Sequence, residues 1–199
     1  MSGTYGIITI GREYCTGGLD IARAVAGRLG VPLYDKELIT LAAKESGLSE
    51  QAIVAGEKRP SGSLLYNLYT MGAELPLSDQ VFVVQSQVIR QLADKGPCVI
   101  VGRCGDYVLR GRADVLRVFL HAPLEFRVRR ARVQGRLPAE ADERAAAALV
   151  QKEDRRRAAY YNFYSEFRWG EAGHYDLCLN AALGESTCAD LILRAARGE

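Results

Sequence analysis

The sequence predicts an α/β protein, a five-stranded parallel sheet with helices on both faces. Short apolar runs of strand length recur along the chain, and between them apolar residues return at helical spacing. No internal repeat, heptad run or low-complexity tract competes with this reading.

Each element follows in order. Tyr5 to Ile10 is an apolar run ending at Gly11, as expected of a buried strand, and Arg12 to Gly18 forms a loop. Ile21, Ala22, Val25, Ala26 and Leu29 place a helix over 19–29, closed by Gly30. Val31 to Tyr34 reads as a second strand, with Asp35 capping a helix over about 36–45. Residues 56–78, rich in Gly, Pro, Ser and Tyr with 59–62 as a flexible tip, are too long for a simple connection and read as a mobile excursion or a small helical insertion. Apolar positions 81, 84, 88 and 92 mark a helix over 79–93, and Cys98 to Val101 is a buried strand ending in Gly102-Arg103. Asp106 is expected to cap a helix beginning near Tyr107. Val115 to Leu120 is the fourth strand, 124–134 an arginine-bearing helix, and a long helix covers about 141–161 after the break at Gly135 and Pro138. Asp176 to Asn180 alternates as a fifth strand, and Ser186 or Thr187 caps a last helix ending near Arg197.

With 199 residues, 48% hydrophobic and 25% charged, the chain is of single-domain size and is not a disordered tail, a collagen-like fibre or a disulfide-stapled miniprotein. Of its basic residues 21 are Arg and 5 are Lys, yet the formal charge is only +2. This balance, without an aromatic/basic repeat, argues against a nucleic-acid module. The arginine surplus is local, since residues 103–136 hold nine Arg against three acids. Arginine grips phosphate or carboxylate with two parallel hydrogen bonds. Five cysteines in no ligand spacing fit reduced thiols and a cytoplasmic setting, with no metal site. No signal sequence or membrane span is expected.

Ligands of open α/β sheets bind beyond the carboxyl ends of the strands, so Arg12 to Gly18, Asp35 and Lys36, Arg103 and His121 are the places to look. A glycine turn entering a helix presents unpaired N–H groups to an anion, which makes Cys15, Thr16, Gly17, Gly18 and Leu19 a phosphate-cradle candidate. The loop is not a Walker A sequence. With Gly17 as the second motif glycine, Gly18 takes the lysine position and Asp20 falls near the Ser/Thr that would touch magnesium. Alone, such a loop is equally a tight turn before a core helix.

The segments Ile8 to Tyr14, Gly17-Gly18, Leu33 to Ile39, Val99 to Arg103, Asp154 to Tyr161 and Tyr175 to Leu177, in this order and spacing, resemble the cytidylate kinase-like branch of the nucleoside monophosphate kinases. The resemblance implies a P-loop kinase fold with a core (1–35, 79–126 and 176–199), an acceptor-binding insertion (36–78) and a lid region (127–160). It implies transfer of the γ-phosphoryl group of ATP to CMP or dCMP with Mg²⁺, by positioning and charge neutralisation. Carried over by motif, Asp35, Lys36, Arg103 and Arg157 serve the acceptor, with Asp154 binding the base edge or orienting Arg157. Arg12, Arg127 and Arg130 serve catalysis, with Arg136 near the lid tip.

The branch commonly reads REYGSGGRE at the loop and Gly-Arg-Asp after the third strand, whereas this chain has Cys15, Leu19 and Cys104 at three of those positions. Cys15 carries a Cβ where the turn requires positive φ. A second reading is therefore a nucleotide-binding regulator or degenerate kinase that lacks efficient transfer because the lysine is missing. Tyr66, Tyr69, Tyr160, Tyr161 and Tyr164 are base-stacking, core or subunit-contact residues, and with Leu64-Leu65 they admit a homodimer. Trp169 reads as a packing anchor, and neither His121 nor His174 receives a role.

Overall fold

A computed structural model of the chain describes residues 4–47 and 76–199. The expected insertion tip, Leu64-Leu65, Tyr66 and Tyr69 lie outside the described residues. Five strands, β1 (Ile7–Arg12), β2 (Leu33–Tyr34), β3 (Cys98–Val101), β4 (Val115–His121) and β5 (Leu177–Asn180), form one all-parallel sheet in the order β2-β3-β1-β4-β5. The helices are α1 (Gly18–Leu29), α2 (Lys36–Ser46), α3 (Leu77–Lys95), α4 (Gly105–Val108), α5 (Leu124–Val133), α6 (Glu143–Tyr164) and α7 (Glu185–Arg197).

Strands buried on both faces read as continuous apolar runs, which is why β3 falls where the Cys-Val-Ile-Val run places it. Ile8, Ile10, Val99, Leu116 and Val118 meet α1 and α7 on one face, while Ile7, Ile100 and Val115 meet α2 and α3 on the other. A third cluster, Cys15 with Val128, Ala131, Ala146 and Val150, seats the phosphate-loop candidate on α5 and α6.

Several boundaries differ from the expectation. β1 does not stop at Ile10, because Gly11 and Arg12 continue the register opposite Phe119 and Leu120. Gly11 is there for close approach: a Cβ would stand 3.0 Å from the Phe119 ring. α6 runs on to Tyr164, and Asp142 caps it by accepting from the Ala145 amide at 2.7 Å, a bond worth about 1 kcal/mol. The expected caps at Asp35 and Asp106 fail, as does the one at Ser186 or Thr187. Asp35 precedes α2 without a capping bond, Asp106 lies inside the first turn of α4 behind Cys104, and α7 starts directly after Gly184. In the first two cases the carboxylate turns to a distant partner.

Candidate active site

β1 and β3 are neighbours at the centre of the sheet, so the residues leaving their carboxyl ends face one another. After β1 the chain turns through Glu13, Tyr14, Cys15 and Thr16 into Gly17, whose φ of 85° precedes α1. Thr16 Oγ1 donates to the Glu13 carbonyl at 3.0 Å and closes the turn. Cys15 has φ 58°, as its place in the loop requires. After β3, Arg103 and Cys104 have φ 58° and 53°. These three are the non-glycine residues in the left-handed region among those described, each at a cost of order 1–2 kcal/mol. Such strain lies at facing strand ends, which makes this a candidate functional site.

The loop after β1 is fixed by side chains from α5 and α6. Asp154 on α6 accepts from the Tyr14 amide at 2.7 Å and from Arg127 Nη1, while Arg127 Nε donates to the Ala122 carbonyl at 3.0 Å. Glu13 accepts from the Ala122 amide at 3.0 Å and pairs with Arg127 at 3.3 Å. Arg157 donates to the Arg12 carbonyl at 3.0 Å. The structure thus places Arg127 buried behind the loop, and Asp154 holds the loop and Arg127 together. Glu13, unnoticed in the sequence, is the loop's second anchor.

Beside the loop lies a cavity of about 370 Å³. Arg12, Arg103 and Arg157 line it together with Asp35, Tyr160 and Trp169, which joins residues distant in the chain. Arg12 runs its stem across Gly18 and sets its guanidinium on Gly102, within 3.8 Å of the Asp35 carboxylate. Burial, then Arg157 and, less strongly, Arg103, pull Arg12 down to about 9, with Asp35 opposing. Burial also lowers Arg157, with Asp154 opposing. Burial penalises the charge of Arg12 and Arg157, a condition that an anionic ligand relieves. Lys36 opens α2, but its side chain lies outside the described part of the structure.

Asp106 and Tyr161 line the cavity as a hydrogen-bonded pair. Tyr161 donates to the buried Asp106 at 2.6 Å, and burial holds that carboxyl above its ordinary value. Burial and Asp106 push the Cys104 thiol up, and burial pushes Cys15 up despite nearby arginines. Neither cysteine has the lowered pKa of a reactive thiolate. Tyr160 and Tyr161 reach the cavity, whereas Tyr164 stacks on Phe82 and donates to the buried Asp79 at 2.8 Å. Trp169 packs edge-on against Phe119, the expected anchor, and also lines the cavity. His174 stacks on Phe167, away from it. Arg130 lies over Gly17, and Arg136 over the Tyr14 ring at 5.7 Å. Among the described residues no three His, Cys, Asp or Glu side chains gather as a metal site, and no helix is long and apolar enough to cross a membrane.

The all-parallel sheet in the order β2-β3-β1-β4-β5, with a glycine turn after β1 leading into α1, has a P-loop kinase fold. Residues 7–182 match the model of the cytidylate kinase-like family, and the chain belongs to that family. A crystal structure of an uncharacterized protein from Eubacterium ventriosum is 27% identical, with a TM-score of 0.70 over 96% of this chain and 97% of that one. Shikimate kinase from Bacteroides thetaiotaomicron (12% identity, TM-score 0.56, 95% and 97% covered) and a gluconokinase from Sinorhizobium meliloti (17%, 0.52, 98% and 90%) share the fold. Among curated proteins, none matches the sequence significantly.

Proposed function

We propose that the protein is a cytoplasmic ATP-dependent phosphotransferase whose acceptor carries an anionic group, with CMP or dCMP as the acceptor its family membership favours. The observation that carries this is the convergence of Arg12, Arg103 and Arg157 on one cavity at the carboxyl ends of β1 and β3, beside a glycine turn that opens a helix. In this reading residues 36–78 bind the acceptor, 127–160 form the lid, and the two ligands meet across Arg12.

ATP with Mg²⁺ supplies the phosphoryl group and shields its charge. The loop fits the phosphates: Gly17 turns in the left-handed region, and the Gly18 and Leu19 amides come ahead of the first amides of α1 that bond back, those of Asp20 and Ile21 onto the Gly17 carbonyl. Asp20 in that turn, paired with Arg130 and Arg23, would be the carboxylate offered to Mg²⁺ once phosphates release it, and such an ion relies on phosphate and water for its remaining ligands. Arg103 and Arg157 orient the acceptor anion and Arg12 spans the gap towards the loop. Tyr160 and Trp169 supply flat apolar walls, and Asp106 offers a polar edge to the acceptor's uncharged part.

Purified protein with ATP and Mg²⁺ is expected to release ADP faster with CMP or dCMP than with AMP, GMP or no acceptor. The regulator reading is favoured by one observation, the Arg12 stem packed over Gly18 where a lysine would root. It prevails if nucleotides raise the melting temperature while no acceptor stimulates turnover.

A further inference from the structure

We propose that Arg130, reaching across from α5, supplies the cation the phosphate loop lacks at Gly18, and that Asp20 and Glu185 hold it there until nucleotide phosphates displace them. The proposal rests on the ATP reading above and assigns that site's missing charge.

Position 18 itself is closed. A Cβ there would stand 3.0 Å from Arg12 Cγ and 3.3 Å from Leu120 Cδ1, so a long side chain cannot start from it without moving the Arg12 stem. The neighbouring position shows where a cation is instead. A Cβ on Gly17 would lie 2.9 Å from both Cζ and Nη2 of Arg130, which sets the guanidinium directly on the turning glycine of the loop. This is the positive end of α1, an unfavourable place for a cation. Two carboxylates offset the cost, Asp20 at 2.6 Å and Glu185 at 2.7 Å, both on the same nitrogen, Nη2.

The Nε of Arg130 is buried with no hydrogen-bond partner among the described residues. An arriving phosphate answers both defects, since it neutralises the helix end and accepts from the guanidinium. Arg127, one turn earlier on α5, makes the contrast. It is buried and bonded to the Ala122 carbonyl and Asp154, the pattern of a structural strut. Arg130 is held by side chains alone, from two other helices, and both acids are partly exposed.

The test is calorimetric titration of ATP and ADP, with Mg²⁺ and at several salt concentrations, into the full-length protein and its Arg130→Ala, Arg130→Lys and Glu185→Gln variants. Arg130→Ala is expected to weaken ATP binding about 10- to 100-fold and to flatten its salt dependence, with Arg130→Lys recovering part of the loss. Glu185→Gln removes a competing carboxylate and keeps the cation, so it should tighten ATP by up to about fivefold. A strut gives the opposite pattern: Arg130→Ala lowers the melting temperature without changing ATP affinity, and Glu185→Gln does not tighten it. That result overturns the proposal. If wild-type protein binds ATP and phosphorylates an acceptor at a rate Arg130→Ala leaves untouched, the assignment of Arg130 alone falls. If wild-type protein binds no ATP, the kinase reading falls with it.

Discussion

Gly102→Ala offers a direct test of how the cavity is built. Gly102 has φ 76°, where a side chain costs of order 1 kcal/mol, and its Cβ would overlap Nη1 of Arg12 outright. The backbone cost alone lowers the melting temperature by about 2–4 °C in a chain of this size. The overlap does more, because it drives Arg12 off its seat beside Asp35 and, in the proposed reaction, removes one charge-assisted contact where the two ligands meet. That loss is worth about 1.5–3 kcal/mol, or roughly 10- to 150-fold in kcat/KM. Gly30→Ala is the control: φ is 67°, no atom lies within 4 Å of its Cβ, and it closes α1 away from the cavity. Thermal melts and steady-state kinetics of the two variants, varying the acceptor, separate the terms. Similar stability losses with a kinetic defect confined to Gly102→Ala support the arrangement. Equal losses with normal kinetics in both would refute the seating of Arg12 and its part in transfer.

Three further outcomes are expected. Arg103→Ala should lower acceptor affinity and transfer by orders of magnitude, and unchanged kinetics would remove Arg103 from the site. Arg12→Met should hold or raise the melting temperature, by relieving first the burial of a charge and then repulsion from Arg157, while kcat/KM drops at least tenfold; wild-type protein should gain more stability from added phosphate than the variant does. Asp106→Asn should stabilise the protein more at pH 7 than at pH 4. The folded carboxyl titrates above its ordinary 3.8, so the ionised form is penalised in the fold and the penalty grows as pH rises from 3.8 to the raised value. Chemical denaturation at the two pH values measures the difference, and an equal effect at both would contradict the burial argument.

The sheet was legible because its strands announce themselves: Cys98 to Val101 has no polar residue to confuse its ends, and all four side chains are buried. β1 was cut short because a glycine reads locally as a stop, whereas Gly11 answers to Phe119, more than a hundred residues away. The misassigned caps have the same origin. Asp35 and Asp106 carry the right chemistry beside a helix start, but Arg12 and Tyr161 take them, and no local pattern records such partners. Of the site, the loop and the arginine cluster could be read from the chain. Depth could not: Arg127 and Arg130 share a helix and a spacing, yet one is a buried strut and the other lies across the loop. Arg112, in the same run, joins Asp94 and Asp114.

Because Arg12 fills the space above Gly18 and Gly102 at once, these three positions divide one volume and cannot change independently. A lysine at 18 would clash with the Arg12 stem, and shortening residue 12 first would empty the cavity of a cation before the new one arrived. A change at any one of the three is therefore felt at the other two. The side chain at the end of the central strand thus ties the loop to the opposite wall of the cavity.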